Sequence, residues 1–138
     1  MIHARGAQAA HLEGIGQETG LVERIDLFRS ASRQLDANQR AQMGQYLTPP
    51  PIARYMASLF SDPPQEVRLL DAGAGVGTLT AAFVENAVSR ERKPARIRAS
   101  LYELDPLLYS FLSSTLMACE ELSSARSVVF SGEAYNKD

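Results

Sequence analysis

The chain has one cysteine and two histidines in 138 residues, and these shortages exclude several kinds of chemistry. A lone Cys119 cannot close a disulfide within the chain. It falls at helical spacing with Leu108, Phe111, Leu112 and Thr115, which predicts a packed core thiol rather than a nucleophile. His3 and His11 lie in an N-terminal stretch rich in Ala, Gly and Gln, with no ligand cluster around them, so metal chemistry is not expected. The sequence also lacks an apolar signal core and any run of about 18 apolar residues, the length a membrane helix needs. Export and membrane insertion are disfavoured, and the cytoplasm is the expected location. An excess of either charge is lacking too: 14 basic and 16 acidic residues leave a formal net charge of -2, and a slightly acidic chain has no general attraction for nucleic-acid phosphates. A hydrophobic fraction of 45% is enough for one modest core.

What the chain does carry is concentrated in residues 67–83, VRLLDAGAGVGTLTAAF. A buried strand ends at Asp71, a glycine turn follows, and a helix opens near Gly77. Gly73, Gly75 and Gly77 allow positive φ angles and close backbone approach, while the unpaired N–H groups of a helix start can donate to an acidic or polar ligand. A glycine turn alone is weak evidence, since a plain tight connection between strand and helix can also carry one. Here a second strand ends in an acidic residue, Glu103 of LYELDP, at the position of a ribose contact. Together the signals point to a bound nucleoside. A dinucleotide fingerprint starting at Gly73 would need glycine at position 78, where Thr78 stands, so the pyrophosphate reading fails there.

The pattern Asp71-x-Gly73-x-Gly75-x-Gly77 resembles the first motif of S-adenosyl-L-methionine-dependent methyltransferases. That resemblance implies Asp71 near the amino group of the cofactor, directly or through water, with Ala72 and the backbone from Gly73 to Gly75 against the methionine and ribose. It implies that Glu103 accepts hydrogen bonds from both ribose hydroxyls, that Leu104 packs on the adenine, and that Glu133 belongs to the same site. Upstream, GQYLTPPPIARYMASLF (residues 44–60) resembles the motif preceding the glycine loop in adenine-specific (N6) DNA methyltransferases of restriction-modification systems, through Gly44, Gln45, Tyr46, Thr48 and Pro49. In that family the Thr-Pro pair touches the methionine end of the cofactor, and its place before the glycine loop marks the gamma motif order. Read from the residues alone, Thr48 is a helix N-cap followed by prolines suited to a first turn, and Ile52, Tyr55, Met56, Leu59 and Phe60 fall on one helical face, which is also how a plain core helix would look.

The patterning predicts a tail over residues 1–18, then a helix with Leu21, Ile25, Phe28 and Leu35 on one face, packed on the fold as a lead-in. After the helix that starts at Pro49, a Ser61-Asp62-Pro63-Pro64 turn leads into the first strand, and Leu79, Phe83 and Ala87 mark the buried stripe of the next helix. A second strand is expected over 98–103, a helix over 106–122 and a third strand over 127–132. Residues 1–40 are thus expected as a tail and helix, and 41–138 as the cofactor-binding front part of a methyltransferase domain. The expected fold class is α/β, a Rossmann-like S-adenosylmethionine-dependent methyltransferase fold, truncated after the third strand and carrying an N-terminal helical extension.

Arg90, Arg92, Lys93, Arg96 and Arg98 form a basic run that could neutralise phosphates. It joins a helix end to the start of the second strand, so it is expected opposite the strand carboxyl ends, as a solvated loop. The family's (Asn or Asp)-Pro-Pro-(Tyr or Phe) tetrad, which holds the target amine of a flipped base, does not occur in the sequence. No catalytic residue is therefore assigned. The resemblance implies the cofactor-binding part of a DNA methyltransferase that acts on adenine when complete, inactive alone, with DNA and the catalytic and specificity regions as partners. The alternative is a degenerate module that binds but does not catalyse. An apolar first strand left at the sheet edge is expected to favour self-association or marginal solubility, unless the N-terminal helix folds over it or a partner chain supplies the missing strands.

Overall fold

The computed structural model describes residues 20–32 and 47–137. Their elements, in chain order, are α1 (Leu21–Ser32), α2 (Pro50–Ser58), β1 (Glu66–Ala72), α3 (Thr78–Ser89), β2 (Arg96–Tyr102), α4 (Pro106–Ala125) and β3 (Val129–Tyr135). The strands form one parallel sheet in the order β1-β2-β3, with Asp71 level with Leu101 and Leu101 level with Ala134. Parallel neighbours need crossovers, and α3 and α4 supply them. The sheet therefore brings the carboxyl ends of all described strands, and the loops that follow β1 and β2, to one edge.

Alternation along the strands shows which face is covered. Val67, Asp71, Ile97, Ala99, Leu101 and Phe130 are buried, whereas Arg68, Leu70, Arg98 and Ser131 are exposed. Helices thus cover one face among the described residues. Parallel sheets usually have both faces covered, and here Leu70 remains 67% exposed and Val129 56%.

Helix α3 sits at the centre of the helical layer. Thr78, Thr80, Ala81, Ala82, Phe83, Val84, Ala87 and Val88 are all buried, so the single stripe expected from Leu79, Phe83 and Ala87 is replaced by burial on nearly every side. The cause is its position above β1 with α1, α2 and α4 all packed against it. Leu21, Ile25 and Phe28 of α1 are buried as expected, and the Phe28 ring stacks on Phe111 of α4 at 5.2 Å. Leu35 lies outside the described residues. Arg54 of α2 ties the helices together through ion pairs to Glu23 of α1 and Glu85 of α3.

Two expectations for α2 are corrected. Pro49, not Thr48, holds the N-cap position, with φ -66° and ψ 151° and no side-chain cap. The run of prolines explains this: a residue before proline is held extended, and a missing N–H is tolerated in the first turn, so the helix starts at the second proline. The large apolar residues are also not the packed face. Ile52, Tyr55, Met56, Leu59 and Phe60 are all exposed, while Ala53 and Ala57 are buried with Val22 and Ala82. Small side chains let α2 come close to its neighbours, and the bulky ones are left on the flank.

The later elements run longer than expected. Asp105 caps α4 by accepting from the Leu107 and Leu108 N–H groups at 2.8 and 3.1 Å, with Pro106 in the first turn, and the helix continues to Ala125. Ser127 has φ 60° and belongs to the turn, so β3 starts at Val129 and follows β2 to Tyr135. Leu108, Phe111, Leu112, Thr115 and Cys119 are all buried as the spacing predicts, and burial pushes the Cys119 thiol up to about 12. Among the described residues no helix is long and apolar enough to cross a membrane.

Candidate cofactor site

The turn between β1 and α3 contains three glycines with positive φ, Gly73 at 75°, Gly75 at 59° and Gly77 at 87°. They serve different ends. A Cβ at Gly77 would lie 2.6 Å from Thr115 Cγ2, so this glycine lets the start of α3 meet α4, and Thr115 completes the contact by donating its hydroxyl to the Val76 carbonyl at 2.7 Å. A Cβ at Gly75 would lie 2.7 Å from Leu47 Cδ2, so the segment before α2 packs directly over the turn. A Cβ at Gly73 would meet nothing within 4 Å, which leaves the backbone there open to an approaching molecule. The turn is stitched to β2, because the Gly73 and Ala74 N–H groups both donate to the Tyr102 carbonyl at 2.9 Å.

Asp71 is 9% exposed and accepts the Thr80 hydroxyl at 2.6 Å. The Thr80 backbone N–H also favours its charged form. Thr80 lies in the first turn of α3, where N–H groups lack helical partners and the N-cap Gly77 has no side chain to offer. Asp71 thus holds the first turn of α3 from the end of the strand through the Thr80 hydroxyl. Burial raises the Asp71 pKa, the Thr80 hydrogen bonds lower it, and the negative charge of Glu103 raises it again, leaving it above the usual carboxylate value.

Glu103, 8% exposed, stands just past β2. Its two oxygens accept from different backbone groups, Gly75 N–H at 2.8 Å and Asp105 N–H at 2.8 Å. One carboxylate therefore ties the glycine turn to the start of α4. Asn136, the first residue past β3, donates its Nδ2 to the Glu103 carbonyl at 2.8 Å and the Leu104 carbonyl at 3.0 Å, which fixes the strand-end loop that presents both residues.

Of the residues singled out from the sequence, Asp71, Gly73, Gly75 and Glu103 come together around the turn. Ala72 ends β1 with its side chain exposed, and Leu104 beside Glu103 is 61% exposed. Thr48 is half-buried and Pro49 exposed, next to the Leu47 that covers Gly75. Tyr46 lies outside the described residues, as do Gly44 and Gln45. Glu133 is not brought into this group: it is exposed within β3, shares a face with Tyr135 and bonds to the Tyr135 hydroxyl. Thr80, Asp105 and Asn136 were not singled out. Asp105 was legible as a cap before Pro106, whereas Thr80 and Asn136 have no local signal.

The basic run lies at the other end of the sheet. Arg90 is the C-cap of α3 and Arg96 opens β2. Arg90 donates to the Phe60 carbonyl at 2.6 Å, Lys93 to the Arg126 carbonyl at 3.0 Å, and Arg98 pairs with Glu66 at 3.3 Å. A separate apolar groove of about 150 Å³ runs between α2 and β1, which is an edge strand among the described residues; it is lined by Met56, Phe60, Leu69 and Phe83 and reaches Asp71 and Thr80.

The chain is similar to Type II methyltransferases. It is 38% identical over 99 residues to M.BsuBI of Bacillus subtilis, covering 71% of this chain and 19% of that protein. It is 37% identical over 97 residues to M.PstI of Providencia stuartii, covering 70% of this chain and 19% of that protein. The chain thus matches about a fifth of the length of these relatives. No protein-family model matches it.

Proposed function

We propose that this chain is the S-adenosylmethionine-binding part of a DNA adenine-N6 methyltransferase of the restriction-modification type. The observation that carries the reading is the pair of buried carboxylates, Asp71 and Glu103, on either side of a glycine turn that is open at Gly73. Such a site asks for a ligand rich in donors. A zwitterionic amino acid joined to a ribose has them, an ammonium for Asp71 and two hydroxyls for Glu103. A phosphate fits poorly, because the Gly75 N–H is already engaged by Glu103 and the two flanking groups are acidic. Hydrogen bonds to ionised groups are the stronger kind, which suits a site built on two carboxylates.

When bound, the cofactor supplies an electrophilic methyl group. In this reading Asp71 holds its ammonium, the backbone from Ala72 to Gly75 lies along its methionine and ribose, and Leu104 packs on the adenine. Thr48 and Pro49, with Tyr46 before them, border the methionine end. The packing of Leu47 over Gly75 supports this placement. Adenine-N6 as the target rests on the resemblance through Gly44, Gln45, Tyr46, Thr48 and Pro49, and the similarity to Type II methyltransferases supports DNA as the substrate.

Calorimetric titration with S-adenosylmethionine and its demethylated product tests the reading directly. Saturable binding of both is expected, and absence of binding by the folded chain would refute it. Radiolabelled methyl transfer from the chain to mixed duplex DNA should stay at background. Label should appear in adenine when a polypeptide carrying the proline-proline-aromatic tetrad is supplied.

A further inference from the structure

The contact between Thr80 and Asp71 goes beyond what a helix cap requires. The helix needs acceptors for its first N–H groups, yet here it is a side-chain hydroxyl, that of Thr80, that donates to the carboxylate at 2.6 Å, from a residue 1% exposed. That bond acts on the carboxylate, because it fixes the rotation of the group and stabilises its charged form against burial and against the like charge of Glu103. Among the described residues, Glu103 after β2 is the charged group acting on Asp71; Arg54 of α2 and Glu85 of α3 are paired with each other.

We infer that Thr80 is a positioning residue, whose hydroxyl holds Asp71 charged and aimed so that it can receive the ammonium of the ligand. The inference rests on the cofactor reading above. The same bond in a chain that only needed its helix capped could be lost without altering ligand binding, and that difference makes the two roles separable.

The test follows the Asp71 carboxyl by carbon NMR across pH in the ligand-free parent, Thr80→Ser and Thr80→Val. The serine variant keeps the hydroxyl and should titrate like the parent. The valine variant keeps the shape and should titrate at a pH higher by about one unit, a tenfold change in ionisation constant. An unshifted valine variant, or a serine variant shifted as far as valine, would overturn the inference. Should the valine variant not fold, exchange of the Thr80 hydroxyl proton in the parent reads the same bond: slow exchange at neutral pH is expected, and free exchange refutes it.

Calorimetric titration with S-adenosylmethionine over the same pH range then links the bond to binding. Affinity in the parent should fall as pH drops through the Asp71 titration, and in the valine variant this fall should move to higher pH by the same interval. A displaced titration with an unmoved binding profile would make Thr80 only a cap partner and overturn the inference. If the parent binds no S-adenosylmethionine at any pH, the cofactor reading fails, and with it the ligand-directed role.

Discussion

Replacing Glu103 with alanine removes a carboxylate that the structure uses twice, so its effect can be worked out for folding and binding separately. In the free chain the lost bonds are those from the Gly75 and Asp105 N–H groups, each 2.8 Å long. Gly75 is buried and Asp105 half-buried, so water can replace the second partner but not easily the first. A hydrogen bond to a charged group contributes about 1.5–3 kcal/mol, and a buried donor left unpaired adds to its loss. A destabilisation of about 2 kcal/mol is expected, which lowers Tm by about 8 °C for a chain of this size. The ribose hydroxyls would lose their acceptor as well, and affinity for S-adenosylmethionine should fall at least about tenfold. Thermal unfolding followed by circular dichroism, with calorimetric titration below the transition, measures both. A Tm within about 2 °C of the parent would show that Glu103 does not tie the turn down. A stable or destabilised variant that binds like the parent would remove Glu103 from the ligand site.

Asp71→Asn should separate stability from binding in the opposite sense: burial and Glu103 raise the Asp71 pKa, so its ionisation weakens the fold as pH rises through the folded pKa. The amide should leave Tm at neutral pH unchanged or higher while affinity falls at least about tenfold, and a lower Tm with intact affinity would contradict this. Gly75→Val puts a β-branched residue at φ 59° against Leu47, a strain of about 1–3 kcal/mol; binding should be lost with helix content kept by circular dichroism, and retained affinity would mean the loop is only a turn. Leu70→Lys places a charge on a 67% exposed residue of the β1 edge strand. Sedimentation across a concentration series should show self-association of the parent and much less in the variant, and a monomeric parent at high concentration would show the open edge to be tolerated.

The glycine turn and its two strands were legible because the chemistry that builds them is local. Positive φ requires glycine, alternation marks a half-covered strand, and a strand end followed by Asp-Pro announces the next cap. The parts that were not legible depend on shape or on distant partners. Ile52, Tyr55 and Phe60 look like the packed face of α2 by hydropathy, but Ala53 and Ala57 win because close approach between helices rewards small side chains. Gly132 and Glu133 weaken the appearance of a strand, yet the ladder with β2 carries β3 through them to Tyr135. That longer strand places Glu133 inside β3 and Asn136 just past its end. Thr80 meets Asp71 only once the turn has folded back, a relation that no spacing rule encodes.

The acidic pair at the turn has a consequence for selectivity among the cell's small molecules. Adenosine is a handle shared by many abundant metabolites, most of which also carry phosphates, so recognition of the base and sugar alone would leave such a site crowded by competitors. In the proposed reading Asp71 sorts these molecules beyond the sugar, with the charge of Glu103 close behind it. A nucleoside triphosphate would bring its negative charge against two buried carboxylates, whereas an adenosyl group joined to a cationic sulfonium and an ammonium brings the opposite charge to the same place. On that proposal the discrimination would need no additional contact with adenine and would act against competitors present in large excess.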